Sequence, residues 1–290
     1  PPLIPPRAAS SAHEARAQEA ALANLLAAMG AGSDGARLSL DHLAELLPQL
    51  PGGGLPASLC RALWRRLATP LSAPQLPGSP TSGGQRAATA GGLKAFFARR
   101  LAGVPAEARL LPCLAAADDG AAVGAAELLD VTEAVAERHP SLAFLRDSPG
   151  FLQRYAQAAV LRIFYSLDPL RTGAISGAAL RASPLLAALR SLDPGGDASD
   201  DINAERRYFS YEHFYVLFCA FCRLDDDRDG LLSLRDLQRY GNFGLSGRIA
   251  QRVFDARRCA AAPRRRAILR RNSLPRAISP TADPSSLSPP

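Results

Sequence analysis

The sequence lacks the features of a membrane or secreted protein. No apolar run approaches the ~20 residues that a transmembrane helix requires, and the N-terminus has no signal-peptide core. The five cysteines form an odd, scattered set, so we expect a reducing compartment rather than a disulfide framework. These absences predict a cytoplasmic protein, with the nucleus and the cytoskeleton as further locations.

Catalytic and zinc-binding patterns are missing as well. Cys219 and Cys222 form a C-x-x-C pair, but no second pair completes a zinc site, and both are predicted to be small buried residues on a helix. Residues 30–35 match G-x-G-x-x-G, but they follow a helix rather than a strand, which indicates a helix end and not a dinucleotide site. No nucleophile–base pair is suggested, so we predict that the chain is not an enzyme. The four histidines are far apart in sequence: His13, His42, His139 and His213.

Basic charge is concentrated at one end of the chain. The net charge of +7 equals that of residues 256–290, which hold eight arginines and a single acid, Asp283. The rest of the chain is electrically balanced, so no specific nucleic-acid partner is expected. Within this tail, Ser273 follows Arg270 and Arg271, an arrangement that phosphoserine-binding adaptors favour. The tail is interpreted either as an adaptor-binding segment or as one that associates with polyanions in general.

The strongest signal is a twelve-residue acidic segment, residues 225–236. Its spacing fits the EF-hand loop, in which calcium takes six to eight oxygen ligands around a sharp turn. Gly230 stands at position 6, where the loop needs a positive φ, and the apolar Leu232 stands at position 8. Position 12 holds Asp236 instead of the usual glutamate, which predicts weaker calcium binding and better tolerance of Mg²⁺. The predicted ligands of this one Ca²⁺ site are Asp225, Asp227, Asp229, the backbone carbonyl of Leu231, Ser233 and Asp236.

Apolar residues flank this segment on both sides. The alternative interpretation is an acidic surface loop without an ion, because aspartate-rich turns are common on protein surfaces. We favour a metal site because the glycine, the apolar position 8 and the apolar flanks occur together. The flanking residues predicted to face the core of an EF-hand pair are Leu217, Ala220, Phe221, Leu224, Leu237 and Tyr240.

EF-hands work in pairs, and a second loop of similar shape begins at Asp168. It has Gly173 at position 6 and Ile175 at position 8, but positions 3 and 12 offer no ligand side chain. We predict a structural EF-hand without an ion, in which Ile175 bridges to Leu232. Weaker echoes, interpreted as decayed repeats, are residues 33–42 and 116–127.

Helical periodicity dominates the remaining sequence, and no convincing strand alternation occurs. The predicted fold class is all-α, an EF-hand-type helical array with one degenerate and one ion-competent EF-hand. The predicted segments are a disordered 1–10, a helical 11–68, a disordered linker 69–91, a helical 92–148 with a degenerate EF-like unit, an EF-hand pair 149–258 and a disordered basic tail 259–290.

Several short sequence words occur in a fixed order between residues 125 and 256. The most specific is Phe209-Ser-Tyr-Glu-His-Phe-Tyr215, which the calcium loop follows directly. Together with a weaker match over 93–118, these words resemble the B″ family of regulatory subunits of protein phosphatase 2A. The other words are His139-Pro-Ser-Leu-Ala-Phe-Leu145, Arg154-Tyr155, Arg162-Ile-Phe-Tyr165, Asp201-Ile-Asn203, Arg239-Tyr240 and Arg252-Val-Phe254.

The resemblance implies a targeting subunit that docks on the scaffold and catalytic subunits of the phosphatase and responds to calcium. It also implies a shortened C-terminal side, because the family continues into further helices and a second calcium-type EF-hand. Here an Arg- and Ser-rich tail follows instead, as in a fragment, a truncated gene model or a divergent paralogue. The alternatives to a calcium-responsive phosphatase subunit are a stand-alone EF-hand sensor or buffer and a passive all-α interaction protein.

Overall fold

The computed structural model describes residues 9–70, 86–115 and 122–259, and within these ranges the chain is mostly helical, as predicted. None of the described helices is both long and apolar enough to span a membrane. The α-helices are α1 (Ala9–Ala28), α2 (Leu40–Leu46), α3 (Cys60–Leu67), α4 (Ala90–Arg100), α5 (Leu110–Leu114), α6 (Ala125–Arg138), α7 (Pro149–Leu167), α8 (Gly177–Ala182), α9 (Leu185–Ser191), α10 (Tyr211–Leu224), α11 (Leu234–Gln238), α12 (Tyr240–Phe243) and α13 (Gly247–Cys259). The strands are β1 (Arg37–Leu38), β2 (Thr69–Pro70), β3 (Arg86–Thr89), β4 (Ala122–Val123) and β5 (Ile175–Ser176), and 3₁₀ turns cover Leu47–Gln49, Ala57–Leu59, Ala106–Ala108, Pro140–Asp147 and Ile202–Ala204.

The N-terminal part forms one EF-hand-like pair. Helix α1 precedes β1 and α2, while helix α3 precedes β3 and α4. Strands β1 and β3 are antiparallel, with Leu38 opposite Ala88, and β2 pairs with the other end of β3. The helices pack reciprocally, α1 against α4 and α2 against α3. The helix entering one unit therefore contacts the helix leaving the other, as in paired helix–loop–helix motifs.

A second pair follows and corrects the predicted pairing. Helix α5 precedes β4 and α6, helix α7 precedes β5 and α8, and the packing is again reciprocal, α5 against α8 and α6 against α7. Ile175 lies opposite Val123, and both are fully buried. The predicted bridge from Ile175 to Leu232 is therefore wrong. Val123, at position 8 of the segment 116–127 that was interpreted as a decayed repeat, supplies the partner, since pairing needs an apolar residue at position 8 rather than metal ligands.

Four of the helices that leave these loops begin in the same way, whereas α6 begins after Gly124 without a side-chain cap. A hydroxyl at position 9 accepts a hydrogen bond from the backbone N–H three residues later, which caps the first turn. Residues with this role are Ser39 (3.1 Å from the N of His42), Thr89 (3.1 Å from Gly92), Ser176 (3.2 Å from Ala179) and Ser233 (3.2 Å from Asp236).

An aromatic cluster anchors the first half of α10. Tyr155 of α7 is buried and donates its hydroxyl hydrogen bond to the carbonyl of Phe209, just before α10. Phe214 meets the Tyr155 ring edge-on at 5.5 Å. These contacts fix the helix that runs into the acidic loop. Further ring contacts in the cluster join Phe144 to Tyr211, Phe151 to Phe214 and Phe151 to Phe218.

Two predicted boundaries are corrected. The linker expected over 69–91 is wrong at both ends, because residues 69–70 and 86–89 are strands of the first pair and α4 begins at Ala90. Residues 71–85 lie outside the described residues, as do most of the predicted disordered ends, although residues 9, 10 and 259 belong to helices. The chain divides into two compact units after Leu231, within the segment 149–258 that was predicted to be an EF-hand pair. The predicted EF-hand pair over 149–258 is thus wrong as a unit.

Asp193 gives the first unit a testable pH dependence. Its Oδ1 accepts a hydrogen bond from the N–H of Ala57 at 3.1 Å, and burial raises the pKa of Asp193 to about 6. A raised carboxyl pKa means that folding favours the protonated form, so this stabilisation is complete below the ordinary pKa and is lost as pH rises through 6.

We expect Asp193→Asn, which keeps an acceptor but does not titrate, to reduce this dependence. Between pH 5 and pH 7, the wild type should lose roughly 0.5–1 kcal/mol of unfolding free energy relative to the variant, allowing for partial solvent exposure. Urea unfolding of both proteins at the two pH values measures this difference. Parallel changes in the two proteins would show that Asp193 does not titrate in this range.

Candidate metal centre

The acidic loop begins where α10 ends at Leu224, and its first seven residues belong to the first unit. Arg228 at position 4 and Gly230 at position 6 have φ angles of 57° and 79°. The left-handed angle is ordinary for glycine but uncommon for arginine, so the turn is held by other interactions. The N–H of Gly230 donates to Asp225 Oδ2 at 3.0 Å, and the N–H of Leu231 donates to Asp229 Oδ1 at 2.7 Å.

This turn brings three predicted ligands together. Asp225, Asp227 and Asp229 each place a carboxylate oxygen within 4.8 Å of the others. Asp227 and Asp229 are exposed, whereas Asp225 is only 7% exposed. Among the described residues, Asp225 Oδ1 has no hydrogen-bond partner. A buried carboxylate oxygen without a partner is costly, and a cation would satisfy it.

Electrostatics agree with this geometry. Burial, together with the neighbouring Asp227 and Asp229 carboxylates, raises the pKa of Asp225 against the lowering effect of the Gly230 N–H. The negative charge of Asp225 is therefore disfavoured when no cation is present. A divalent ion at the cluster would reverse this balance.

The loop at Asp168 shows what a self-satisfied loop of the same shape looks like. Arg171 and Gly173 repeat the left-handed angles at positions 4 and 6, at 54° and 81°. Asp168 is also buried, but its Oδ1 accepts from the N–H and the hydroxyl of Thr172 at 2.8 and 3.0 Å. Its Oδ2 accepts from the N–H of Gly173 at 2.8 Å. Both oxygens are thus satisfied by protein donors, as expected of a structural EF-hand.

The difference between the loops lies at positions 3 and 5. Thr172 supplies a hydroxyl donor to Asp168, while Asp229 supplies only a further carboxylate near Asp225. The N–H of Asp229 instead lies 3.4 Å from Asp227 Oδ1. The residues at positions 3 and 5 therefore separate a loop closed by its own hydrogen bonds from a loop with an unsatisfied acid.

The last two predicted ligands lie in the second unit, from Leu232 onward. Ser233 and Asp236 form a capping box, in which the N–H of Ser233 donates to Asp236 Oδ2 at 2.8 Å and the N–H of Asp236 donates to the Ser233 hydroxyl at 3.2 Å. Hydrogen bonds to the Asp236 carboxylate from the Ser233 hydroxyl and, second, from the Ser233 N–H lower the pKa of Asp236. Position 12 is therefore held as a carboxylate next to position 9.

Two predictions about α10 are wrong. Leu217, predicted to face a core, is 59% exposed, and Val216 beside it is 67% exposed. Cys219 and Cys222 are half-buried and exposed, not buried. The cause is common to both: the helix buries its Tyr211 side against α7, and the opposite side is exposed. After the loop, Tyr240 is 53% exposed and Leu237 is half-buried. Before it, Ala220, Phe221 and Leu224 of α10 are half-buried.

Comparison with known proteins gives related findings. The EF-hand domain family matches residues 106–195, which contain the second EF-hand-like pair. A probable B″ epsilon regulatory subunit of serine/threonine protein phosphatase 2A from Arabidopsis thaliana is 42% identical over 129 residues, 44% of this chain and 24% of that protein. The B″ alpha subunit from Homo sapiens is 37% identical over 142 residues, 49% of this chain and 12% of that protein.

A B″ delta subunit from Mus musculus is 42% identical over 120 residues, 41% of this chain and 24% of that protein. Over the matched residues, the chain is similar to B″ regulatory subunits of protein phosphatase 2A. It spans about a quarter or less of the length of these B″ relatives. By name they are regulatory subunits, in agreement with the prediction that the chain is not an enzyme. A solved structure titled as a PP2A PR70 holoenzyme is 36% identical, covers 51% of this chain and 55% of that chain, and has a TM-score of 0.47.

The EF-hand match and the candidate metal centre are different parts of this chain. Residues 106–195 include the self-satisfied loop at Asp168 but not the acidic loop that begins at Asp225. Val123 was not predicted to be the partner of Ile175. The signal was present in the spacing, because Val123, Gly124 and Glu127 stand at positions 8, 9 and 12 of their loop.

Proposed function

We propose that this chain is a calcium-responsive regulatory subunit of a 2A-type Ser/Thr phosphatase, and that it binds the scaffold and catalytic subunits. Similarity to B″ regulatory subunits supports the regulatory role. The observation that carries the calcium response is the buried, unpartnered Oδ1 of Asp225 beside two further carboxylates. The protein acts in the cytoplasm, with the nucleus and the cytoskeleton as further locations.

One Ca²⁺ would be held by the acidic loop, with Mg²⁺ as a weaker competitor. Asp225, Asp227 and Asp229 supply positions 1, 3 and 5, and the carbonyl of Leu231 supplies position 7. By their spacing in the sequence, Ser233 and Asp236 supply positions 9 and 12. Asp236 is shorter than the usual glutamate, so affinity should be around micromolar or weaker.

The ion would act by removing repulsion at the end of α10. Without it, three carboxylates crowd within 4.8 Å and the charge on Asp225 is disfavoured. With it, the loop that continues α10 becomes rigid, and the exposed surface of that helix is presented in one orientation. The phosphatase subunits would recognise this surface. The Ser273 motif lies outside the described residues and stays a prediction.

Capture of purified scaffold and catalytic subunits, in calcium and in chelator, tests this function. We expect the wild type to retain them to a different extent in the two conditions, and Asp225→Ala to retain them equally in both. Asp226→Ala removes the same charge at a position without a ligand role, so it should behave as the wild type does.

Two outcomes would count against the proposal in different ways. No capture in either condition would reject the phosphatase role. If the same protein then bound an amphipathic helix only in calcium, the stand-alone sensor would be favoured. Equal capture by the wild type in both conditions would reject calcium responsiveness and leave a passive docking subunit.

A further inference from the structure

The first and second EF-hand-like pairs meet where α3 packs against α6. The 3₁₀ turn Ala57–Leu59, which leads into α3, contacts α6 as well. On one side of this contact the side chains are charged, and they form ion pairs between the two helices. The residues of this charged belt are Arg61 and Arg65 of α3, and Asp130, Glu133 and Glu137 of α6.

The charged belt holds more acid than base. Arg61 serves two glutamates, since its Nη1 lies 2.8 Å from Glu133 Oε2 and its Nη2 lies 2.5 Å from Glu137 Oε1. Arg65 donates a hydrogen bond to the remaining acid, Asp130. Two guanidinium groups therefore face three carboxyl groups, and the belt has a net negative charge when every group is ionised.

Asp130 is the buried acid of the charged belt and is only 8% exposed. Its Oδ1 accepts the hydrogen bond from Arg65, whereas its Oδ2 has no hydrogen-bond partner among the described residues. A buried carboxyl group with an unpartnered oxygen costs more free energy when it is charged than when it carries a proton. The surroundings therefore favour the protonated form of Asp130.

The charged groups that act on Asp130 come from both helices. Burial, followed by the carboxylates of Glu133 and Glu127 on α6, raises the pKa of Asp130 to about 6. The guanidinium groups of Arg65 and Arg61 on α3 oppose this rise. Because the folded state favours the proton, this stabilisation is complete below the ordinary pKa of 3.8 and is lost as pH rises through 6.

We propose that the charged belt is a proton-controlled joint between the two EF-hand-like pairs. When Asp130 carries a proton, α3 and α6 are held together firmly. When Asp130 ionises, the excess negative charge of the belt weakens their contact. Acidification below neutral pH therefore strengthens this contact whatever the state of the calcium loop. The inference lies within the first unit and goes beyond the phosphatase role, since it uses neither the metal centre nor any partner.

Fluorescence of the full chain tests the proposal, because the single tryptophan, Trp64, is half-buried on α3 next to Arg65. Between pH 5 and pH 8, its emission should show a transition centred near pH 6. Asp130→Asn, which does not ionise, should abolish the transition. The control is Asp193→Asn, which removes another acid whose pKa is raised to about 6 and should leave the transition in place.

Two further variants should move the transition in opposite directions. Arg65→Gln removes a cation that favours the ionised form of Asp130, so the midpoint should rise by at least ~0.5 pH unit. Glu133→Gln removes a negative charge that disfavours that form, so the midpoint should fall by a similar amount. A side chain that only fills space at this contact would not produce shifts of opposite sign.

Hydrogen exchange of the α3 amides measures the strength of the joint. After correction for the pH dependence of chemical exchange, protection in the wild type should fall about 5–10-fold from pH 5 to pH 7, because folded Asp130 loses its proton over this range. Protection in Asp130→Asn should stay constant. A wild type without a fluorescence transition, or a transition that Asp130→Asn leaves unchanged, would overturn the proposal.

Discussion

Replacing Asp225 with alanine is expected to weaken calcium binding by at least ~100-fold, because it removes the only buried ligand of the cluster. Asp225 Oδ1 has no other partner among the described residues, and its Oδ2 holds the turn through the Gly230 N–H. The substitution therefore removes a metal ligand and also removes the hydrogen bond that holds the turn. Calorimetric titration with calcium, at neutral pH and low ionic strength, measures the effect.

The matched control is Asp226→Ala. It removes the same charge from the adjacent residue, which stands at position 2 of the loop and has no ligand role. We expect its calcium affinity to stay within a few-fold of the wild type. Equal losses in the two variants would mean that the loop attracts calcium only through its total charge, and equal heats in all three proteins would place binding elsewhere.

The second large effect is on stability. Arg109 is completely buried between the first and second pairs, and it donates to the carbonyls of Val104 (2.8 Å), Pro51 (2.7 Å) and Gly53 (3.0 Å). A fourth hydrogen bond, of 3.2 Å, goes to Gln18 Oε1. Burial lowers the pKa of Arg109, yet these oxygens hold the guanidinium in place. Arg109→Met should cost about 3 kcal/mol or more, because several buried carbonyls lose their donor.

Arg146→Met is the comparison for this prediction. Arg146 is exposed and makes one hydrogen bond, from Nε to the carbonyl of Glu137 at 2.8 Å. The same change of side chain should cost less than about 1 kcal/mol there. Chemical unfolding of both variants measures the difference. If Arg109→Met and Arg146→Met lower the free energy of unfolding equally, the buried hydrogen bonds of Arg109 do not contribute more to stability than the single bond of Arg146.

The helices could be predicted because their signals are local. Helices α2 and α3 lie within the predicted helical segment 11–68, and α6 lies within the predicted helical segment 92–148. Except for α6, the exit helices begin at serine or threonine caps, which the sequence contains at fixed spacing. The acidic loop could also be predicted, because alternating aspartates occur together with a glycine at position 6 and an apolar residue at position 8.

Pairing could not be predicted in the same way. Because the segment 116–127 has poor ligand residues, the loop at Asp168 was predicted to pair with the acidic loop. The observed strand pair instead joins Val123 to Ile175. Two apolar residues at position 8 are compatible with several partners, and the choice depends on which helices pack, as with α6 against α7. The exposed face of α10 has the same cause, because an apolar stripe predicts burial without stating what covers it.

The sequence also does not show whether the protein itself hydrogen-bonds both oxygens of the Asp225 carboxylate. Asp168 and Asp225 occupy the same position in loops of the same backbone shape. Only the hydrogen bonds from Thr172 and Gly173 show that one acid is satisfied while the other has a free oxygen. The residue at position 5 indicates this difference in the sequence, since a hydroxyl there can donate to the carboxylate at position 1 in place of an ion.

The central claim is that the unsatisfied carboxylate of Asp225 binds a cation. Crystals of the full chain grown in calcium, with anomalous diffraction measured at long wavelength, locate such an ion directly. The account predicts one peak at the Asp225 loop, about 2.3–2.6 Å from Asp225 Oδ1, and none at the loop of Asp168. A peak at Asp168, or saturating calcium with no peak at Asp225, would contradict it.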